Sequence, residues 1–198
     1  MKRTSLLIVA LTAGASALPA QSVPLPVPSA ASGEYSPKYD LPIGRQIVVV
    51  YIGQTGCGAS RDPELKKAVR RMKPMVARQA DSLKRPLSLS GVALDWAVDS
   101  GVAYLHGLGA WNEIAVGNNW GNVAAVGYIW RGADALPAIP QVLIYERVVT
   151  QTKHGISFGP EHRISQYVSA DEIIRWVHDG APLLKPHVAQ PLKRLPAS

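Results

Sequence analysis

The sequence predicts an α/β domain built on a mixed sheet with helices on both faces. Three observations carry this. Apolar runs of strand length, 47–52 and 141–149, stand apart from helical patterns with capping signals. A long helical pattern over 63–83 separates the first two strand patterns, so these must pair in parallel through a crossover. The last two strand patterns lie close enough to form a hairpin, and the order reads β-α-β-α-β-β-α.

The first strand, about 46–52, contains Ile47-Val48-Val49-Val50-Tyr51-Ile52, a continuous apolar run suited to burial on both faces. The first helix opens with Asp62 as N-cap, Pro63 at the first helical position and Glu64 in the first turn. It runs to about Leu83, with a kink expected at Pro74. Its apolar stripe is Leu65, Val69, Met72, Val76, Ala80 and Leu83; Lys66, Lys67, Arg70, Arg71, Lys73, Arg78, Lys84 and Arg85 make its solvent face. A second strand is expected over 90–98, with Val92, Leu94, Trp96 and Val98 on one face. A short helix follows Asp99-Ser100, then a loop over 110–119. Asn119 is the expected cap of a helix over 120–130 with Val123, Val126 and Trp130 inward. The third strand is 141–149 and a fourth lies within 152–167. Ser169-Ala170-Asp171-Glu172 is a capping box for a final helix that Gly180 and Pro182 stop.

The chain has 198 residues, one domain's worth, with a formal net charge of +7. Met1-Lys2-Arg3, the apolar run 6–11 and Ala15-Ser16-Ala17 have the layout of a signal peptide, 1–17, which implies an exported, periplasmic or extracellular protein. The apolar run is too short for a membrane span, so no integral membrane segment is expected once the signal is cleaved. Residues 18–40 read as a flexible Pro-rich lead-in, 41–180 as the domain and 181–198 as a flexible Pro-rich tail. Removing Lys2 and Arg3 leaves a net charge of +5, and the excess sits on one helix face without interleaved exposed aromatics, so nucleic acid is not an expected partner.

Cys57 is the only cysteine, so no internal disulfide can form. It lies between a strand end and a helix start, where backbone amides and nearby cations favour the thiolate, the form that attacks disulfides. Ser60 is placed to donate a hydrogen bond to such a thiolate, and Arg61 to add positive charge. A buried structural cysteine is the plain alternative. The histidines His106, His154, His162, His178 and His187 lack paired metal spacing, so no metal is expected. There is no Gly-x-Ser-x-Gly elbow and no phosphate-binding glycine loop, and no cofactor is implied. Of the five tryptophans, Trp111 and Trp120 are expected near the surface and the rest in the core.

The element order, the thiol after the first strand and Ile139-Pro140 directly before the third strand resemble the thioredoxin-like fold family, over about 44–180. The resemblance implies a three-layer α/β/α domain around a central mixed four- to five-stranded sheet. It implies a cis proline at Pro140 beside the nucleophile Cys57, with Ile139 offering backbone groups to a bound substrate strand. The family's resolving cysteine falls on Ser60, which makes this a single-cysteine Cys-x-x-Ser variant. Gly56 replaces the usual aromatic before the motif, and Pro63 sets the regular helix away from the thiol. The expected function is thiol–disulfide exchange by a monothiol oxidoreductase through mixed disulfides. Its partners would be protein or peptide thiols and disulfides, or a low-molecular-weight thiol, and the protein would be monomeric. The alternative is a non-catalytic module that binds an extended peptide or protein partner beside Ile139 and Pro140.

Overall fold

The computed structural model describes residues 42–131 and 136–184. The expected signal peptide 1–17, the lead-in 18–40 and most of the tail 181–198 lie outside them. The apolar run after Gln46 becomes the centre of the sheet. Strand β1 (Gly44–Gly53) is buried from Gln46 to its end. It pairs in parallel with β2 (Leu87–Ala93) and antiparallel with β4 (Gln141–Thr152). Strand β3 (Glu113–Val116) adds in parallel beyond β2. The second edge of β4 is shared: β5 (Gly155–Phe158) pairs with its last residues and β6 (His162–Val168) with its first.

Alternation along the strands divides the core in two. Ile47, Val49 and Tyr51 face α1 (Pro63–Ser82), α2 (Val98–His106) and α4 (Ala170–His178), through Leu65, Val69, Met72, Leu105, Ile173 and Trp176. Val48, Val50, Ile52, Val92, Leu94 and Leu143 face Ala125 and Ile129. These two belong to α3 (Val123–Ala125) and the π-helical turn Val126–Trp130 that continues it. The result is a three-layer α/β/α domain, in which each fully buried aliphatic side chain contributes about 1.5–3 kcal/mol.

Local signals set the helix ends. The Asp62 carboxylate accepts the Glu64 amide at 2.8 Å and Pro63 opens α1. Ser169 caps α4 by accepting the Glu172 amide at 3.3 Å, while Glu172 accepts the Val168 amide at 2.6 Å.

Several elements depart from the sequence reading. Among the described residues the sheet has six strands, where four to five were expected. Strand β2 ends early, because the Leu94 amide makes its last bond to Gly53 and Asp95 then turns toward the loop after β1. Trp96 and Val98, expected inward, are therefore exposed, and α2 begins at Val98. The loop 110–119 holds β3. The helix cap is Asn122, not Asn119; its side chain accepts the amides of Ala124 and Ala125, so Ala125 and Ile129 point inward and Val123 outward. The segment 152–167 forms two strands, since β4 runs on to Thr152. Lys73 of α1, expected in solvent, is buried. Packing extends past 180: the Gln79 side chain bonds the carbonyls of Gly180 and Ala181 and the Leu183 amide, and Leu183 is fully buried.

Candidate functional site

At Gly53, β1 delivers the chain to a tight turn. The Cys57 amide donates to the Gln54 carbonyl at 3.3 Å, and the Cys57 carbonyl accepts the Arg61 amide at 3.2 Å. A 3-10 turn (Ala59–Arg61) fills the gap before α1. The thiol thus sits ahead of α1, as Pro63 at its first position requires. The Thr55 amide and hydroxyl both donate to the carboxylate of Asp95, a residue only 5% exposed. That pair ties the thiol loop to the end of β2.

Facing the loop is the Ile139-Pro140 peptide bond, which is cis. The half-buried Cys57 has its Sγ 3.8 Å from the Ile139 carbonyl oxygen. Ile139 packs on the second core and Pro140 is buried, its carbonyl accepting the amide of Ser169, the cap of α4, at 3.0 Å. Gln141 props this loop from behind. Its side-chain amide donates to Ala138 at 2.9 Å, its oxygen accepts from Gln166 at 2.9 Å, and it is 1% exposed.

Ser60 shares the thiol turn but is fully buried. Its hydroxyl accepts the Gln54 amide at 3.4 Å, and its carbonyl accepts the Tyr104 hydroxyl at 3.3 Å. Tyr104 and Tyr51 join hydroxyl to hydroxyl at 2.7 Å. Burial is the main force that pushes the ionisation of both phenols above its usual range, so both stay protonated. Trp111 stacks on Tyr51 with ring centroids 6.1 Å apart. The Lys73 ammonium lies 3.4 Å from the centroid of the Trp111 ring and donates to Ala110 at 2.7 Å. Burial lowers the pKa of Lys73 to about 8. A column of packed side chains therefore runs from the middle of α1 to the underside of the thiol turn.

The fold thus brings Cys57, Ile139 and Pro140 together. Ser60 is on the same turn, with its hydroxyl directed to Gln54 and the tyrosine pair. Thr55, Asp95, Gln141, Tyr51 and Tyr104, which shape the site, carry no local motif. The exposed tryptophans are Trp96 at 75% and Trp130 at 53%, not Trp111 and Trp120, which are half-buried. Trp96 directly follows Asp95 at the end of the thiol loop's anchor. Among the described residues no three His, Cys, Asp or Glu side chains gather as a metal site, and no helix is long and apolar enough to cross a membrane.

The fold is thioredoxin-like by the chain's own topology. The β1–α1–β2 crossover, the proline that precedes the antiparallel β4 and the return of α4 to the face of α1 define that class. No family model and no curated protein matches the chain. Two solved structures are similar to it. One is a secreted Mycobacterium tuberculosis disulfide oxidoreductase homologous to E. coli DsbE, 12% identical over 68% of this chain and 81% of that one, with a TM-score of 0.30. The other is MTB dsbF in its mixed oxidized and reduced forms, 16% identical over 69% of this chain and 81% of that one, with a TM-score of 0.30.

Proposed function

We propose that this is an exported thioredoxin-like protein that uses Cys57 for thiol–disulfide exchange through mixed disulfides. The supporting observation is the half-buried Cys57 Sγ, 3.8 Å from the Ile139 carbonyl at the cis Ile139-Pro140 bond. The Cys57 thiolate attacks one sulfur of a disulfide. A new sulfur–sulfur bond forms to Cys57, the old one breaks, and the departing thiolate takes up a proton. No second cysteine exists to resolve the adduct. An external thiol, from a protein, a peptide or a small molecule, completes the exchange and leaves as the oxidised partner. Ile139 and Pro140 form the substrate wall, and the Ile139 backbone is the contact for an extended segment. Ser60 belongs to the site as a positioning residue that fixes the turn. The protein acts as a monomer, and export follows from the signal-like start.

The test is mass spectrometry after incubation with cystamine, a small disulfide. One adduct should form on the full chain, an added thiol should release it, and Cys57→Ser should abolish it. A thiol that cystamine and alkylating reagents cannot reach in the folded protein would defeat this reading. Ser60→Ala should leave adduct formation within about twofold while lowering stability by about 1–2 kcal/mol, the value of a lost buried hydrogen bond. The second reading, a peptide-binding module without turnover, is favoured by the exposure of Trp96 next to the thiol loop's anchor. Under it, peptides bind Cys57→Ser as tightly as the native chain.

A further inference from the structure

The positive charge of this chain is concentrated in one place. Residues 61–85 hold nine Lys and Arg against three Asp and Glu, and the rest of the chain holds twelve against eleven. Six of the seven excess charges therefore belong to α1 and its flanks. At about 100° of turn per residue, Lys66, Lys67, Arg70, Arg71 and Arg78 fall within an arc of about 140°, on the side away from Val69, Met72 and Val76. Lys67, Arg70, Arg71 and Arg78 are exposed and Lys66 is half-buried. Asp81, in the last turn, is the only acidic residue of the arc. Among the described residues Lys67 alone of these cations has a carboxylate partner, Glu64 at 2.7 Å.

The chain has no acidic run with which to cover this face. Outside the described residues, 1–41 carry Lys2, Arg3 and Lys38 against Glu34 and Asp40, 132–135 carry Asp134, and 185–198 carry Lys185, Lys193 and Arg194. A second copy brings the same positive charge and is repelled. The matching partner is anionic and comes from outside the chain.

The shape of the face narrows the choice. A helix of 20 residues is about 30 Å long, and here it presents one continuous cationic row. The other positions of the arc, Pro63, Pro74 and Ala77, supply no aromatic or long aliphatic side chain. The face therefore lacks the apolar anchor at the centre of a protein interface, and it has no ring on which a nucleic-acid base could stack. Toward α4 it borders a groove of about 410 Å³ lined by Lys67, Arg71 and His178 together with Ala68, Ile174 and Val177. Cations beside aliphatic side chains match a phospholipid, whose phosphate is followed by hydrocarbon.

We propose that the outer face of α1 is a docking surface for an anionic phospholipid bilayer, which holds the protein peripherally through Lys66, Lys67, Arg70, Arg71 and Arg78. Attachment of this kind is electrostatic: each Lys or Arg at an anionic surface strengthens it about fivefold, and salt weakens it by shortening the screening length. The docking surface is separate from Cys57 and does not depend on its chemistry.

The probe is vesicles of phosphatidylcholine with about 30% phosphatidylglycerol, sedimented with the full chain at low salt and compared with vesicles of phosphatidylcholine alone. Binding should be at least about tenfold tighter to the anionic vesicles and should be lost at about 0.5 M salt. Arg71→Gln combined with Arg78→Gln, both at exposed positions, should weaken it about twentyfold while circular dichroism stays unchanged. Arg71→Lys combined with Arg78→Lys keeps both charges and should leave binding within about twofold. Lys153→Gln, between β4 and β5, and Lys2→Gln combined with Arg3→Gln remove charge elsewhere and should each leave it within about threefold. Equal binding to both kinds of vesicle, binding that salt does not weaken, or an unchanged affinity of the glutamine pair overturns the proposal. A lysine pair as weak as the glutamine pair, or a loss as large from the changes outside α1, overturns it too. So does a chain that binds duplex DNA or polyglutamate but not the anionic vesicles, which assigns the face to another class of anion.

Discussion

Gly53 marks how tightly the residues under the thiol loop are fitted. A Cβ at this position would stand 2.6 Å from the Tyr104 hydroxyl and 2.7 Å from that of Tyr51. The two phenols are bonded to each other and held by Ser60 and by the Trp111 ring, so neither can withdraw freely. Gly53→Ala should lower stability by about 1–3 kcal/mol, the usual penalty for overpacking, read as a shift in the urea midpoint. An unchanged midpoint would mean that the pair moves aside easily. Cys57 stood out as the only cysteine, placed directly after an unmistakable strand, whereas Ile139 and Pro140 were pointed to by the thioredoxin-like resemblance and not by the strand pattern. The tyrosine pair was not legible, since Tyr51 and Tyr104 lie 53 residues apart and meet only when α2 packs onto the sheet. Gln141 was hidden for a similar reason: a buried amide at a strand start looks like any polar boundary residue until its partners at Ala138 and Gln166 are known.

Among the elements, the thiol loop is held by a side chain from another strand. Asp95 accepts from both the amide and the hydroxyl of Thr55. Asp95→Ala should cost about 2 kcal/mol, as expected for losing hydrogen bonds to a buried charge. Faster amide hydrogen exchange should appear first at Thr55 and Cys57. Uniform acceleration across β1 instead would assign Asp95 to global stability alone. At the other end of the same loop, Asp62→Ala removes the α1 cap and should cost about 1 kcal/mol in the denaturation midpoint. Strong local signals made α1, β1, β4 and α4 readable: a cap followed by proline, a continuous apolar run, a capping box. Weak ones misled. The alternation of β2 continues through Trp96 and Val98 although Asp95 has already left the sheet for Thr55. Strand β3, only four residues long, has too little alternation to stand out from a loop, so it became visible only through its pairing with β2.

At the scale of the whole molecule, buried titratable groups set an alkaline stability profile with two opposing slopes. Folding lowers the pKa of Lys73 from 10.5 to about 8, because burial disfavours the ammonium even with the Trp111 ring and the Ala110 carbonyl beside it. Between those values the unfolded chain keeps a proton that the folded chain has released. Stability therefore rises with pH from about 8 to 10.5, and this contribution is lost as pH falls through about 8. The tyrosines act in the other direction. Burial raises Tyr51, Tyr104, Tyr128, Tyr145 and Tyr167 above 10.0, so the unfolded chain ionises first. Their contribution is complete below pH 10 and is lost as pH climbs beyond it. The two slopes meet near pH 10, where the native chain should reach an alkaline maximum and then fall steeply. Lys73→Met keeps the stem over Trp111 without the charge. Urea midpoints measured for both proteins on one pH series from 7.5 to 11.5 separate the contributions. The variant should lack the rise between about 8 and 10 and keep the fall above 10. If the difference between the two proteins stays flat across that window, Lys73 titrates as it does in the unfolded chain, and the column beneath the thiol turn holds its charge without penalty.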